Sequence, residues 1–134
     1  DGADAQRVRR GIAATAVSRP RHLLPVFVVH GTDDGLVPMA FTSTPYVTMA
    51  RAAGAEVQFW QVRNAQHFDG FLGLPDYGAR YVPLLPYVYT ALDASLAHLE
   101  LGTTLPGDAV LQTVPRGGAP LEARHLAIPD VPLR

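Results

Sequence analysis

The chain contains no cysteine and no lysine. Without cysteine there is no thiol nucleophile, no Cys-ligated zinc and no disulfide framework. Without lysine there is no Schiff base, no catalytic Lys and no P-loop Lys; all 11 cationic residues are Arg. Set against 12 acidic residues, they leave a net charge of -1. No basic excess is available to neutralise a phosphate backbone, so no nucleic-acid partner is expected. Charged residues make up only 17%, where about 25% is usual. No stretch reaches the ~18 to 20 apolar residues of a membrane-spanning helix. The longest compact apolar run, Leu23 to Val29, is broken by Pro25, and no membrane partner is expected. The opening, Asp1-Gly-Ala-Asp-Ala-Gln-Arg, has no initiating Met and no apolar h-region. That opening is expected of a chain processed or cut from something longer.

What is present is enough for one domain. The chain has 134 residues, of which 48% are hydrophobic, a composition able to build a core. Helical spacing of Val8, Ile12, Ala13, Ala16 and Val17 predicts a helix over 3–17, ended by Arg19-Pro20-Arg21. Pro25-Val-Phe-Val-Val29 is a β-branched and aromatic run of the kind that forms a strand buried on both faces. A helix is expected at 43–53, capped by Thr42 or Ser43 and closed by Gly54. A second strand is expected at 56–62 and a further helix at 84–100, with Val88, Leu92, Leu96 and Leu99 as its buried stripe. From Gly102 onward prolines crowd the chain. Residues 102–134 read as an irregular Pro-rich tail with one possible short strand at 109–114.

Strands joined by helices predict an α/β fold with a parallel sheet. Two such strands cannot cover each other, so they are expected to be the last two of a larger sheet whose other strands precede Asp1.

Two loops follow the two strands: His30-Gly31-Thr32-Asp33-Asp34-Gly35-Leu36-Val37-Pro38 and Asn64-Ala65-Gln66-His67-Phe68. In open α/β sheets, functional groups gather at the carboxyl ends of strands. An acid after one strand and a His after the next is the back half of a Ser…Asp…His system in α/β-hydrolase chain order. The acid fixes the tautomer of the imidazole, whose other nitrogen moves the proton of a serine hydroxyl. His suits this work because its ordinary pKa, about 6.5, lies near neutral pH. The pattern His-Gly-x-x-Asp-x-x-Val-Pro puts the acid at Asp34 rather than Asp33. Taken alone, both aspartates read better as turn formers before Gly35; the order strand, Asp34, helix, strand, His67 favours the catalytic reading.

His30 ends a strand and is expected to be a hydrogen-bonded structural residue, and Gly31 to permit the tight exit. His22, His98 and His125 read as surface or packing residues. No metal site is expected of His30, Asp33, Asp34 and His67, which lack ligand spacing of the His-x-x-x-His kind. Phe59 and Trp60 read as core; Phe68 reads as core or as the lining of an acyl pocket. None of the three serines, Ser18, Ser43 and Ser95, sits on a Gly-x-Ser-x-Gly elbow. The nucleophile is therefore expected upstream of this chain or absent from the protein altogether, and the oxyanion hole largely upstream.

Several stretches together resemble the C-terminal part of D-(-)-3-hydroxybutyrate oligomer hydrolases. They are Pro25 to Pro38, Thr44-Pro45-Tyr46, Asn64 to Phe71, Arg80 to Leu84, Ala91-Leu92-Asp93 and Thr113 to Gly118. The likeness spans roughly residues 8 to 120; Asn64-Ala-Gln-His-Phe-Asp69 followed by the Pro-rich tail is its specific part. It implies a serine esterase acting downstream of poly(3-hydroxybutyrate) depolymerases. Such an enzyme cleaves 3-hydroxybutyrate oligomers, a small-molecule ester substrate, to the monomer without metal or organic cofactor. By this resemblance Asp34 and His67 carry over as acid and base, residues 1–101 form the C-terminal part of the catalytic domain, and the N-terminal remainder of that domain is the chain's partner. A secreted or periplasmic location is suggested by the resemblance alone. The isolated chain is expected to be inactive. Two other readings remain open: a prolyl-oligopeptidase-like or feruloyl-type serine hydrolase with the same strand order, and a non-catalytic remnant that binds a partner.

Overall fold

A computed structural model describes residues 2–21 and 23–131. Its elements in chain order are α1 (Ala3–Ala14), β1 (Val26–Gly31), α2 (Ser43–Ala52), β2 (Val57–Val62), α3 (Pro75–Arg80), α4 (Leu85–Leu101) and β3 (Ala109–Leu111), with short 3-10 turns at Met39–Phe41, Asp69–Gly73 and Ala123–His125.

The expected pair of parallel strands is a trio. β1 pairs parallel with β2, and β2 pairs parallel with β3, in the order β1-β2-β3. β3 is drawn from 109–114, where a short strand was foreseen in the tail, and it joins the same sheet. Among the described residues no strand borders the other edge of β1.

Strand periodicity divides the core in two. Val57 and Phe59 of β2, with Val26 and Val28 of β1, pack against Val47 and Ala50 of α2. The alternate residues Trp60 and Val62, with Phe27 and Val29, face Tyr87, Ala91 and Ala94 of α4. Successive side chains of a strand point to opposite faces, so helices cover both. The rings of Phe27 and Trp60 meet edge to face with centroids 5.0 Å apart.

The buried stripe of α4 differs from the expected one. Tyr87, Ala91, Ala94 and Ala97 are buried, whereas Val88, Leu92 and Leu99 are exposed. Small side chains bring the helix close to the fully buried Trp60, and the larger ones turn away toward the β1 edge. There Val88, Leu92 and Ser95 line a groove with Phe27 and Val29. Pattern alone favoured the large residues, but packing volume favours the small ones against a tryptophan.

α1 ends at Ala14, short of 17, and buries none of its residues; Val8 and Ile12 lie exposed. α2 begins after Thr42, whose hydroxyl donates back to the Pro38 carbonyl at 3.0 Å instead of capping the helix. Gly54 takes φ +80° after α2, and Gly102 takes φ +68° at the end of α4, the left-handed geometry in which glycine avoids the Cβ penalty.

Segments after Gly102 are stitched to the sheet. Leu111 and Val131 belong to the α4-side core. The Tyr87 hydroxyl donates to the Leu126 carbonyl, and burial pushes that phenol's pKa up. Trp60 Nε1 donates to the Gly107 carbonyl at 3.0 Å. The Asp108 carboxylate accepts from Arg51 at 2.6 Å and from the Phe59 N–H at 2.9 Å. Partial burial alone would raise the Asp108 pKa, but the Arg51 hydrogen bond and charge and the Phe59 N–H outweigh it and hold the pKa below its ordinary 3.8.

Two outcomes test this packing. Ala94→Leu is expected to overpack the seam between α4 and Trp60 and cost about 1–3 kcal/mol, read as a lower denaturant midpoint. Because the folded-state pKa of Asp108 is lowered, its contribution is present above the ordinary value of 3.8 and is lost as pH falls through the folded-state value. Asp108→Asn is therefore expected to destabilise at neutral pH, with the gap from wild type closing in acid; a pH series of unfolding midpoints checks this.

Candidate active site

Parallel pairing of β1 with β2 sets His30 beside Gln61 and Gly31 beside Val62. Both following loops thus leave the same edge of the sheet. Thr32 N–H donates to the Val62 carbonyl at 2.8 Å, and Asp33 N–H to the Ala65 carbonyl at 3.2 Å. A Cβ on Gly31 would collide with that same Ala65 carbonyl. The absence of a side chain at Gly31 lets the two loops touch; the glycine is needed for this close approach and not for a left-handed turn at the strand exit.

Across this junction the structure brings Asp34 and His67 together. His67 Nδ1 lies 3.2 Å from Asp34 Oδ2. The Asp34 side chain is 2% exposed and that of His67 is 43% exposed. Asp34 Oδ1 accepts from the N–H groups of Leu36 and Val37, each at 2.9 Å. A buried carboxylate needs such partners to stay charged. Because Asp34 Oδ2 accepts, Nδ1 of His67 carries the hydrogen, and Nε2 is the ring nitrogen left to take a proton. Among the described residues no hydrogen bond reaches Nε2.

Asp33 points elsewhere. It is exposed, and its carboxylate accepts from the neighbouring Thr32 hydroxyl at 2.7 Å. His30 Nε2 lies 3.0 Å from the Val37 carbonyl and 3.7 Å from Asp34 Oδ2. His98 Nδ1 meets the Thr103 carbonyl at 2.7 Å, and buried His125 closes a capping box with Glu122. His22 lies outside the described residues.

Asn64, Ala65, Gln66 and Asp69 tie the His67 loop to other segments. Asn64 sits at φ +50° and donates through Nδ2 to the carbonyl and hydroxyl of Thr113. Ala65 is fully buried and bridges to Val82. Gln66 Oε1 accepts from the Gly35 N–H at 3.2 Å, a direct link to the acid's loop. The Phe68 ring meets the imidazole edge to face at 4.5 Å. Asp69 accepts from the N–H groups of Leu84 and Leu85 at 2.7 and 2.8 Å, satisfying donors at the start of α4. Sequence reasoning missed these roles. Asn64 carried a usable signal, since Asn tolerates the left-handed region; Asp69 stands 15 residues before Leu84 and carried none.

A cavity of about 390 Å³ opens onto His67 and Asp34, with His30, Ser43, Tyr46 and Leu84 in its wall. That is the size of a small-molecule site. Ser43 lines this cavity, yet its Oγ is buried with no hydrogen-bond partner among the described residues. Ser95 Oγ donates to Ala91 within α4 at 2.8 Å, and Ser18 is exposed. No serine among the described residues bonds to His67. A row of rings leads away from the imidazole: Phe68 to Phe71 at 5.5 Å, and Phe71 to Tyr77 at 5.8 Å. Burial first, then Tyr81 and the charges of Asp34 and Asp69, push the Tyr77 phenol above its ordinary 10, so it stays protonated at neutral pH. Among the described residues no group of three or more His, Asp or Glu is placed to hold a metal ion.

An imidazole held by a buried carboxylate, with its second nitrogen open to a cavity, is suited to moving protons, and the chain's relatives are of a matching class, hydrolases. The chain belongs to the 3HB-oligomer hydrolase family, which matches residues 1–133. It is 42% identical to the D-(-)-3-hydroxybutyrate oligomer hydrolase of Paracidovorax citrulli, over 97% of this chain and 19% of that protein. Its identity to the enzyme of the same name from Albidiferax ferrireducens is 41%, again over 97% and 19%. For the Cupriavidus necator enzyme the identity is 42%, over 87% of this chain and 17% of that protein. The chain thus spans about a fifth of the length of these relatives. No solved structure matches.

Gly31→Ala is expected to push the His67 loop off the acid's loop and destabilise the chain by more than about 1 kcal/mol, since backbone cannot yield as a side chain does. Thermal unfolding of the variant checks this; an unchanged midpoint would contradict the close approach.

Proposed function

We propose that the chain supplies the acid and the base of a serine esterase that hydrolyses 3-hydroxybutyrate oligomers to monomers, as the C-terminal part of an α/β-hydrolase catalytic domain. The observation that carries this reading is the contact of His67 Nδ1 with buried Asp34 Oδ2 at 3.2 Å, in a chain matched by an oligomer-hydrolase family along nearly its whole length.

In this mechanism the nucleophile is a serine on a strand-turn-helix elbow in a part of the enzyme beyond these residues. Its Oγ attacks the ester carbonyl while His67 Nε2 takes its proton. Asp34 stabilises the imidazolium that forms. The same proton then passes to the departing alkoxide oxygen, giving a free hydroxyl end and an acyl-enzyme. Water then attacks the acyl carbonyl as His67 removes its proton, the acyl–oxygen bond to serine breaks, and serine regains the proton as the acid leaves. The buried, doubly N–H-bonded Asp34 supports this role, since its Oδ1 is held by the loop while Oδ2 meets the His67 imidazole. Among the described residues no strand covers the second edge of β1, which fits a sheet that continues toward the nucleophile's strand.

In the full-length enzyme, His67→Ala or Asp34→Asn is expected to lower kcat roughly 1,000-fold or more on 3-hydroxybutyrate trimer, with modest change in KM. Near-normal turnover in His67→Ala would refute the assignment. Residues 1–134 alone are expected to show no ester hydrolysis above a denatured control.

A further inference from the structure

His30 is the second imidazole at Asp34, and nothing in the acid–base scheme uses it. Its Nε2 faces the Val37 carbonyl at 3.0 Å, and its side chain is 12% exposed. A carbonyl oxygen only accepts, so Nε2 carries a hydrogen. The Val37 carbonyl belongs to the peptide bond before Pro38, which has no N–H of its own. His30 is the partner that satisfies it.

Val37 is also one of the two residues whose N–H holds Asp34 Oδ1. One side chain at the end of β1 therefore anchors Val37 through its carbonyl, and Val37 in turn grips the acid. The same Nε2–H edge lies 3.7 Å from Asp34 Oδ2, the oxygen that faces His67. That is too long for a hydrogen bond, but it sets a positive N–H dipole beside the negative oxygen. Oδ1 is held by the loop's N–H groups, and Oδ2 lies between His67 and the edge of His30. The carboxylate cannot rotate without losing one set of partners.

We propose that His30 is a positioning residue for the reaction. Through the Val37 carbonyl it locks the 31–38 loop so that Asp34 Oδ2 stays aimed at His67. This inference rests on the acid-and-base reading given above. It makes His30 act through Asp34 and not on substrate.

Two amides of different reach test it in the full-length enzyme. The Gln side chain can place its N–H group near the position of the imidazole Nε2, whereas the shorter Asn cannot reach Val37. His30→Gln is expected to keep kcat on 3-hydroxybutyrate trimer within about 3-fold of wild type, and His30→Asn to lower it about 10-fold or more with KM little changed. Placed in an Asp34→Asn background, His30→Asn is expected to cost less than about 2-fold further, because its route to the chemistry is already cut. The inference is overturned if Gln and Asn behave alike, or if His30→Asn lowers kcat by the same factor in both backgrounds. Unfolding midpoints of the variants separate loss of fold from loss of aim, and the Gln variant alone suffices if the Asn variant does not fold: a 10-fold loss in Gln at an unchanged midpoint also overturns it. If Asp34→Asn leaves kcat intact, the failure lies in the acid assignment and not in His30.

Discussion

A carboxylate that is almost wholly removed from water must find its partners inside the protein, and Asp34 sets that condition for everything around it. Leaving such a group unpaired costs several kcal/mol. Its partners come from the N–H groups of Leu36 and Val37 and from the imidazole of His67. These lie on two loops far apart in sequence and adjacent in space. Parallel pairing of β1 and β2 makes them adjacent, since it brings both carboxyl ends to one edge. The loop contacts through Gly31, Asp33 and Gln66 close the remaining gap. The imidazole then has one nitrogen committed and one open, which is the condition for directional proton transfer.

Around this pair the support is distributed. Asn64 ties the His67 loop to Thr113, and Asp69 ties it to the start of α4. Trp60 and Asp108 tie the segment after Gly102 to β2 and α2. A motif read as a short string around His67 is therefore a set of separate attachments, each to a different element. The loop cannot shift as a unit without breaking several hydrogen bonds, and this restricts where the imidazole can point. The alanine face of α4 contributes by letting that helix sit close to Trp60, which in turn places Leu84 and Leu85 within reach of Asp69.

Much of the local structure was legible because it depends on local rules. The β-branched run Val26–Val29 and the glycine after α2 act within a few residues of themselves. The strand boundaries of β1 and β2 fell within one or two residues of the expected ones for that reason. What failed to show depends on distant partners. The large residues of α4 looked buried because pattern weighs hydrophobicity, whereas the seam against Trp60 is decided by volume. The small 3-10 turns and α3 have too few residues to leave a periodicity. Asp69 looks like any loop aspartate until its partners on Leu84 and Leu85 are seen.

The sequence by itself determined the chemistry available: no thiol, no lysine, an acid and a histidine each following a strand, and no serine on an elbow. These are facts of residue type and order, which folding cannot change. The motif pattern favoured Asp34 over Asp33; the tertiary structure decided how Asp34 meets the histidine, which ring nitrogen is held, and how His30 enters the same cluster. Neighbouring residues in a turn point in different directions, and only the register of β1 against β2 determines which of them meets a side chain 33 positions away.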